Sequence, residues 1–284
     1  MSAAASPSPR AFRPSRRPSL LVLGCLLVVA AIATCAATGT LLAPQDPGKQ
    51  TLLTGVQAPS GAHLLGTDDA GRDILSRVIA GARAALAGPL LVVAGAALIG
   101  IAFGIAAGYR GGWLDALVMR CVDMMYALPS LLVAIALIGV MGGGYYAAVG
   151  LLVVLTAPVD LRIIRGATLE QRALPYVEAA RTVGLPQRTI MFRHILPNVA
   201  PLIVANSFLN FAYSLVTLSA LSFLGLGAGP AEADWGRMLS DNLQLIDANP
   251  VAALAPGAML VLLATSMNLL GDRCYERIFD RGRR

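Results

Sequence analysis

The chain has 284 residues, of which 56% are hydrophobic and 13% charged, with a mean hydropathy of +0.69. A soluble domain carries about 25% charged residues, so this composition excludes an ordinary water-soluble enzyme and a disordered chain. It predicts an all-α polytopic membrane protein built as one unit. Of the 22 basic residues only Lys49 is a lysine, and the formal net charge is +6. That excess is read as membrane topology, not as nucleic-acid binding. Cys25, Cys35, Cys121 and Cys274 form no C-x-x-C pair and lie in or beside apolar stretches. They read as small buried hydrophobes, with neither a disulfide framework nor a metal cluster.

Residues 1–19 carry Arg10, Arg13, Arg16 and Arg17 and form a predicted tail. Leu20 to Leu42 is a 23-residue uncharged run. It is long for a signal-peptide core and reads as a retained first span. Residues 43–83 are the next segment. Its acids Asp68, Asp69 and Asp73 fit either a hard cation or a helix start, and the helix start is the reading adopted, with Thr67 or Asp68 as the cap. Arg72, Arg77 and Arg83 alternate with Ile74, Leu75, Val78 and Ile79. The pattern predicts an amphipathic helix at the outer membrane surface. His63, the one histidine here, is a candidate ligand for nickel or a carboxylate, and the bland role of a hydrogen-bonding loop residue is preferred.

The five-helix core is predicted over residues 84–272. Ala84 to Tyr109 is the second span. From Met124 to Val159 there are 36 uncharged residues, too many for one crossing, and Gly142-Gly143-Gly144 divides them. The third span is therefore Trp113 to Val140 and the fourth Tyr146 to Ile164. Val199 to Leu226 and Val251 to Gly271 are the fifth and sixth, and residues 273–284 form a tail. Pro89, Pro129, Pro158 and Pro256 fall within spans and predict kinks, not breaks.

Six spans put both termini on one side. That side holds 17 Lys and Arg and the other holds five, so the termini are expected to be cytoplasmic. Asp123, Asp160, Arg120 and Arg162 are expected near cytoplasmic helix ends, which argues against an intramembrane proton relay. No G-x-x-x-x-G-K-[ST] occurs, since Ala43 and Gln50 flank Gly48-Lys49 in the wrong places. No catalytic residues, cofactor site or metal site is expected. The chain reads as a pathway that takes its energy from elsewhere.

The cytoplasmic loop 166–198 is the most informative stretch. Pro175 limits the start of a short helix in which Tyr176, Ala180 and Val183 share a face. Gly184 suits positive φ and ends that helix. Pro186 opens a second piece with Ile190, Met191 and Ile195 as its apolar stripe, ended by Pro197. A short helix of small residues on a surface can dock into a partner's groove.

Glu178-Ala179-Ala180-x3-Gly184, then Ile195-Leu196-Pro197, resembles the signature loop of permease subunits of binding-protein-dependent ABC importers. Arg193-His194-Ile195-Leu196-Pro197-Asn198 is similar to the form found in the peptide and nickel branch. His63-Leu-Leu-Gly66-Thr67-Asp68 through Gly71-Arg72-Asp73 and Leu75-Ser76-Arg77 resembles a segment of their second, or "C", subunits. So does Ser222-Phe-Leu-Gly-Leu-Gly227 followed by Trp235-Gly236-x-Met238-Leu239, although residues 229–234 lack the usual proline-rich form. The resemblance covers residues 20–284. It implies a type I importer permease fold with six spans and a cytoplasmic coupling helix. It implies ATPase coupling through Glu178, Ala179, Ala180, Gly184, Leu196 and Pro197. It also implies a homologous B-type permease, two ABC ATPase subunits and an extracytoplasmic solute-binding protein as partners, in a lipid membrane, with peptide as substrate. Nickel or a metallophore is the alternative cargo, and a carrier working alone is the alternative class.

Three features remain open in the sequence. His194 is expected to pack at a partner interface. Trp235 fits either contact with the binding protein or an interfacial anchor. Asn206, Asn210, Tyr213, Ser214 and Thr217, with Ser219, put polar atoms into span five. They fit either pathway lining or hydrogen bonds between helices.

Overall fold

A computed structural model of the chain describes residues 20–51 and 55–282, with side chains to Glu276. The expected N-terminal tail lies outside the described residues. The described residues contain helices, turns and a single isolated bridge between Thr67 and Asp73, with no strand. Helix α1 is Leu20–Leu41, α2 is Ile74–Arg110, α3 is Gly112–Tyr126, α4 is Ser130–Met141 and α5 is Tyr145–Arg172. They are followed by α6 (Pro175–Thr182), α7 (Gln187–Phe223), α8 (Trp235–Asn242) and α9 (Pro250–Gly282). Five of these, α1, α2, α5, α7 and α9, are long and apolar enough to cross a membrane unaided, and α3 with α4 makes a sixth if counted as one broken span.

The third span is thus not the kinked helix expected from Trp113 to Val140. The chain bends by 80° between Tyr126 and Ser130. Pro129 sits at the start of α4 with ψ 116. Proline has no N–H to give, and the residue before it is driven out of the helical region, so the ladder ends here. Pro89, Pro158 and Pro256 do lie inside helices.

The surface amphipathic helix is also corrected. Residues 74–83 are the first turns of α2 itself, continuous with the second span. The cap is Asp73, not Thr67 or Asp68. Its carboxylate accepts from the Ser76 N–H at 2.9 Å and from the Ser76 hydroxyl at 2.6 Å, a cap worth about 1 kcal/mol. Asp68 instead turns inward. It accepts from the Arg72 N–H and Nε and lies 3.8 Å from Arg77 Nε. Arg77 is only 2% exposed. It and Arg72 reach across to the carbonyls of Glu232 and Pro230. His63 bonds Asp73 at 3.0 Å, in the loop role expected of it. Among the described residues no group of three His, Cys, Asp or Glu is placed to hold a metal ion.

Trp235 fills neither of its two expected roles. It is 1% exposed and donates its indole N–H to the Val78 carbonyl at 2.8 Å. An indole this deep must satisfy its one donor internally. It joins Ile32, Ile74, Phe211, Leu215, Met238 and Leu263 in one core cluster. That cluster locks α1, α2, α7, α8 and α9 at the end of the bundle where residues 43–73 and 224–249 meet.

Along α2 the glycines Gly100, Gly104 and Gly108 lie on α5. A Cβ there would come within about 3 Å of Asp160, Leu161 and Thr168 atoms. Such close approach of backbones is how helices gain packing energy in lipid. Residues 100–104 form a π-bulge, and a second π-bulge spans 190–195.

Candidate coupling surface and polar cluster

At the opposite end of the bundle, the loop from 173 to 195 is glued to the helices. Pro175 opens α6 after Leu174, which is extended. One face of α6 is apolar and closed, Val177 being 0% and Ala180 8% exposed. These pack with Ile105 and Tyr109 of α2, Ile164 of α5, and Ile190, Met191, Ile195 and Val199 of α7. The stripe Ile190, Met191 and Ile195 is buried as its spacing suggests. Burial of side chains of this size stabilises by roughly 1.5–3 kcal/mol each. Val183 does not share the buried face. It is 79% exposed, beyond the last turn of α6. The outward strip is Glu178, Ala179, Thr182 and Val183.

Gly184 takes φ +79. Its N–H donates to the Arg181 carbonyl at 2.9 Å, and the Leu185 N–H donates to the Ala180 carbonyl at 3.1 Å. This pair of bonds is a Schellman cap. It aims the chain into α7, where Pro197 stands in the interior of the 37-residue helix Gln187–Phe223 and does not end anything. The π-bulge 190–195 lies just before it. Leu196 is half-buried, Pro197 exposed and His194 half-buried. Asn198 donates to the Tyr176 hydroxyl and to the His194 carbonyl. It ties α7 to α6, a role the sequence pattern did not single out. Arg181 donates to the Tyr109 hydroxyl and lies 4.9 Å over its ring.

So the six loop residues divide. Glu178 and Ala179 face outward. Ala180 faces the chain's own core, Gly184 shapes the turn, and Leu196 and Pro197 lie inside α7, just after its π-bulge.

The polar residues of α7 divide as well. Asn206 and Asn210 both donate to one oxygen of Asp160, at 2.6 and 2.7 Å. Asp160 is 4% exposed and is the sixteenth of the 28 residues of α5. It is therefore not at a cytoplasmic end, as expected, but inside the bundle. Charge counting along a sequence could not see that α5 runs on to Arg172. Asn210, Ser214 and Thr217 are buried within the chain, Thr217 donating to the Tyr213 carbonyl. Tyr213 is 50% exposed, and its hydroxyl meets the Ser130 hydroxyl at 3.0 Å, at the break between α3 and α4. Arg162 and Arg165 pair with Asp123 and Asp115 of α3.

Residues 100–283 match the family model described as the binding-protein-dependent transport system inner membrane component. The dipeptide transport system permease protein of Alkalihalophilus pseudofirmus is 35% identical over 269 residues, spanning 95% of this chain and 88% of its own length. The glutathione transport system permease protein of Pectobacterium atrosepticum is 40% identical over 216 residues, spanning 76% of this chain and 72% of its own. A chain of the MetNI methionine ABC transporter, solved in inward facing conformations, aligns with a TM-score of 0.58 at 20% identity, over 72% of this chain and 97% of its own. At that identity the likeness speaks for the fold. With a surface helix capped by glycine and seated on a bundle of apolar spans, the chain belongs to the binding-protein-dependent inner membrane components, the transmembrane permeases of ABC importers.

Proposed function

We propose that the chain forms half of the translocation pathway of an importer of short peptides, driven by ATPase subunits that dock on α6. A homologous permease would supply the other half, and an extracytoplasmic binding protein would deliver the substrate. The observation that carries this reading is the geometry of α6. Val177 and Ala180 fasten it to α2, α5 and α7 from below, and Glu178, Ala179, Thr182 and Val183 stand free above. A push on that strip moves all three long helices together, because well-packed contacts transmit displacement and do not absorb it. The short-peptide reading is supported by two relatives, a dipeptide transport permease and a glutathione transport permease.

In this reading both termini are cytoplasmic, residues 43–73 are extracytoplasmic, and the segments 20–42, 84–272 and 166–198 are the first span, the permease core and the coupling loop. Tyr213 and Asn206 are the α7 side chains with the access a pathway needs. Hydrolysis of ATP resides in the separate subunits. The test is uptake of a labelled dipeptide, of glutathione and of nickel by the assembled system carrying Ala179→Arg, scored with co-purification of the ATPase subunits. Ala179 points outward, so this substitution leaves the core intact. Loss of both ATPase association and peptide uptake is expected. Full association with wild-type uptake would sink the docking assignment, and uptake of nickel alone would sink the peptide assignment.

A further inference from the structure

The end of the bundle that carries α6 also holds three arginines for which the fold provides no counter-charge. Arg110 is the last residue of α2, Arg172 the last of α5, and Arg181 lies in the last turn of α6. They surround an open pocket of about 520 Å³ with Tyr109, Leu185 and Ile190. At this end Arg162 pairs with Asp123 and Arg165 with Asp115, while Arg188 and Arg193 are exposed and stand away from the pocket. Among the described residues, none of the three pocket arginines has a carboxylate within 4.0 Å. Two of them donate to neutral oxygens, Arg172 to the Gly108 carbonyl at 3.5 Å and Arg181 to the Tyr109 hydroxyl at 3.2 Å. Topology alone asks for positive charge on a side of the membrane. It does not ask for three guanidinium groups around one concavity from three different helices.

We propose that this pocket binds a phosphate group, and that the phosphate is the headgroup of an anionic phospholipid. Planar guanidinium forks match phosphate oxygens in geometry as well as charge. The position selects the lipid source. The uncharged run Ala84 to Tyr109 of α2 has 26 residues and is about 39 Å long, against a hydrocarbon layer of about 30 Å. Arg110, which follows that run directly, is thereby assigned to headgroup depth, and Arg172 stands beside it through its bond to the Gly108 carbonyl. The half-buried Leu185 gives the pocket an apolar border, with Ile190 buried in the core beneath it. A bound headgroup would bridge α2, α5 and α6, and so hold the proposed docking helix to the spans. That last consequence rests on the coupling reading, whereas the binding itself does not.

The test uses the purified full chain in non-ionic detergent, with thermal unfolding followed as phosphatidylglycerol, phosphatidylcholine or inorganic phosphate is added. A ligand that binds only the folded state raises the midpoint in proportion to its occupancy. Stabilisation by phosphatidylglycerol at concentrations where phosphatidylcholine and inorganic phosphate do nothing is expected. Each arginine near such a headgroup contributes about fivefold in affinity. Arg110→Gln should then weaken the apparent lipid affinity about fivefold, and Arg110→Gln with Arg181→Gln about 25-fold. Both side chains are exposed, so folding should survive. The control is Arg188→Gln with Arg193→Gln, exposed arginines of the same end that do not line the pocket. It should stay within about twofold of wild type, since only the pocket is proposed to grip the phosphate. Equal losses in the two double variants would overturn the site in favour of diffuse charge. Equal stabilisation by phosphatidylcholine would overturn the anionic headgroup. Stabilisation by inorganic phosphate as strong as by the lipid would overturn the lipid source while keeping the arginine pocket. If the double variant fails to fold, Arg110→Gln alone decides, and unchanged lipid affinity in it overturns the proposal.

Discussion

Gly184→Ala isolates the backbone contribution to the α6 surface. A Cβ built at Gly184 meets nothing within 4 Å, so no steric clash enters. What remains is φ +79, where an L residue other than glycine is disfavoured by about 1–2 kcal/mol. Alanine also stiffens the unfolded chain, which offsets about 0.4–1 kcal/mol. The net destabilisation is about 1 kcal/mol, and it is local, because the Schellman bonds of Gly184 and Leu185 close only the last turn of α6. Hydrogen exchange at the Leu185 amide, which donates to the Ala180 carbonyl, reports that turn directly. Exchange should quicken about fivefold, since 1.4 kcal/mol corresponds to a factor of ten. Gly166→Ala is the matched control. Gly166 lies inside α5, also with nothing within 4 Å of its Cβ. The same substitution there should stabilise by about 0.5–1 kcal/mol, because glycine is the poorer helix former. If Gly184→Ala leaves Leu185 exchange unchanged, or shifts it in the same direction as Gly166→Ala shifts its own turn, the positive-φ cap is not what shapes this surface.

Asp160→Ala removes the acceptor shared by Asn206 and Asn210, and should cost about 1–3 kcal/mol in thermal stability, with Asp160→Asn costing less because one amide oxygen can still accept. Burial raises the Asp234 pKa above the ordinary carboxylate value, so this residue favours folding most when neutral. Stability should fall as pH rises from the unfolded carboxylate pKa through the folded one, and Asp234→Asn, which keeps an oxygen for the Arg237 N–H, should flatten that dependence, as scans of melting temperature against pH will show. Arg77→Met removes the 3.8 Å contact to the buried Asp68, which keeps Arg72, and frees the Glu232 carbonyl, and is expected to lower stability by about 1–3 kcal/mol in the same melting assay. A cysteine placed at Gly61 in a background lacking the four native cysteines should react with impermeant maleimide in intact cells, while one at Ser8 should not. Labelling at Ser8 would reverse the proposed topology.

The amino-acid sequence alone was enough to determine the membrane class, the five long apolar helices and the position of the α6 turn. These follow from local quantities. Uncharged runs near 20 residues are long enough to span a bilayer as helices, and a glycine nine residues after a proline ends a two-turn helix that the proline began. The spacing of Ile190, Met191 and Ile195 shows its buried face without any partner in view. What the tertiary structure decided is which side of each residue faces a neighbour. Asp160 reads as a helix-end charge until α7 supplies two amides to receive it. Arg77 and Trp235 read as interfacial until the carbonyls of Glu232 and Val78 accept their N–H groups from across more than 150 residues of chain. Ala180 and Ala179 are the same residue type side by side, and only packing against Ile105, Ile190 and Ile195 turns one inward. Periodicity is a one-dimensional signal. It gives a helix its faces, but the partner for each face is fixed by contacts between segments that are distant in sequence, and those arise only when the chain is folded.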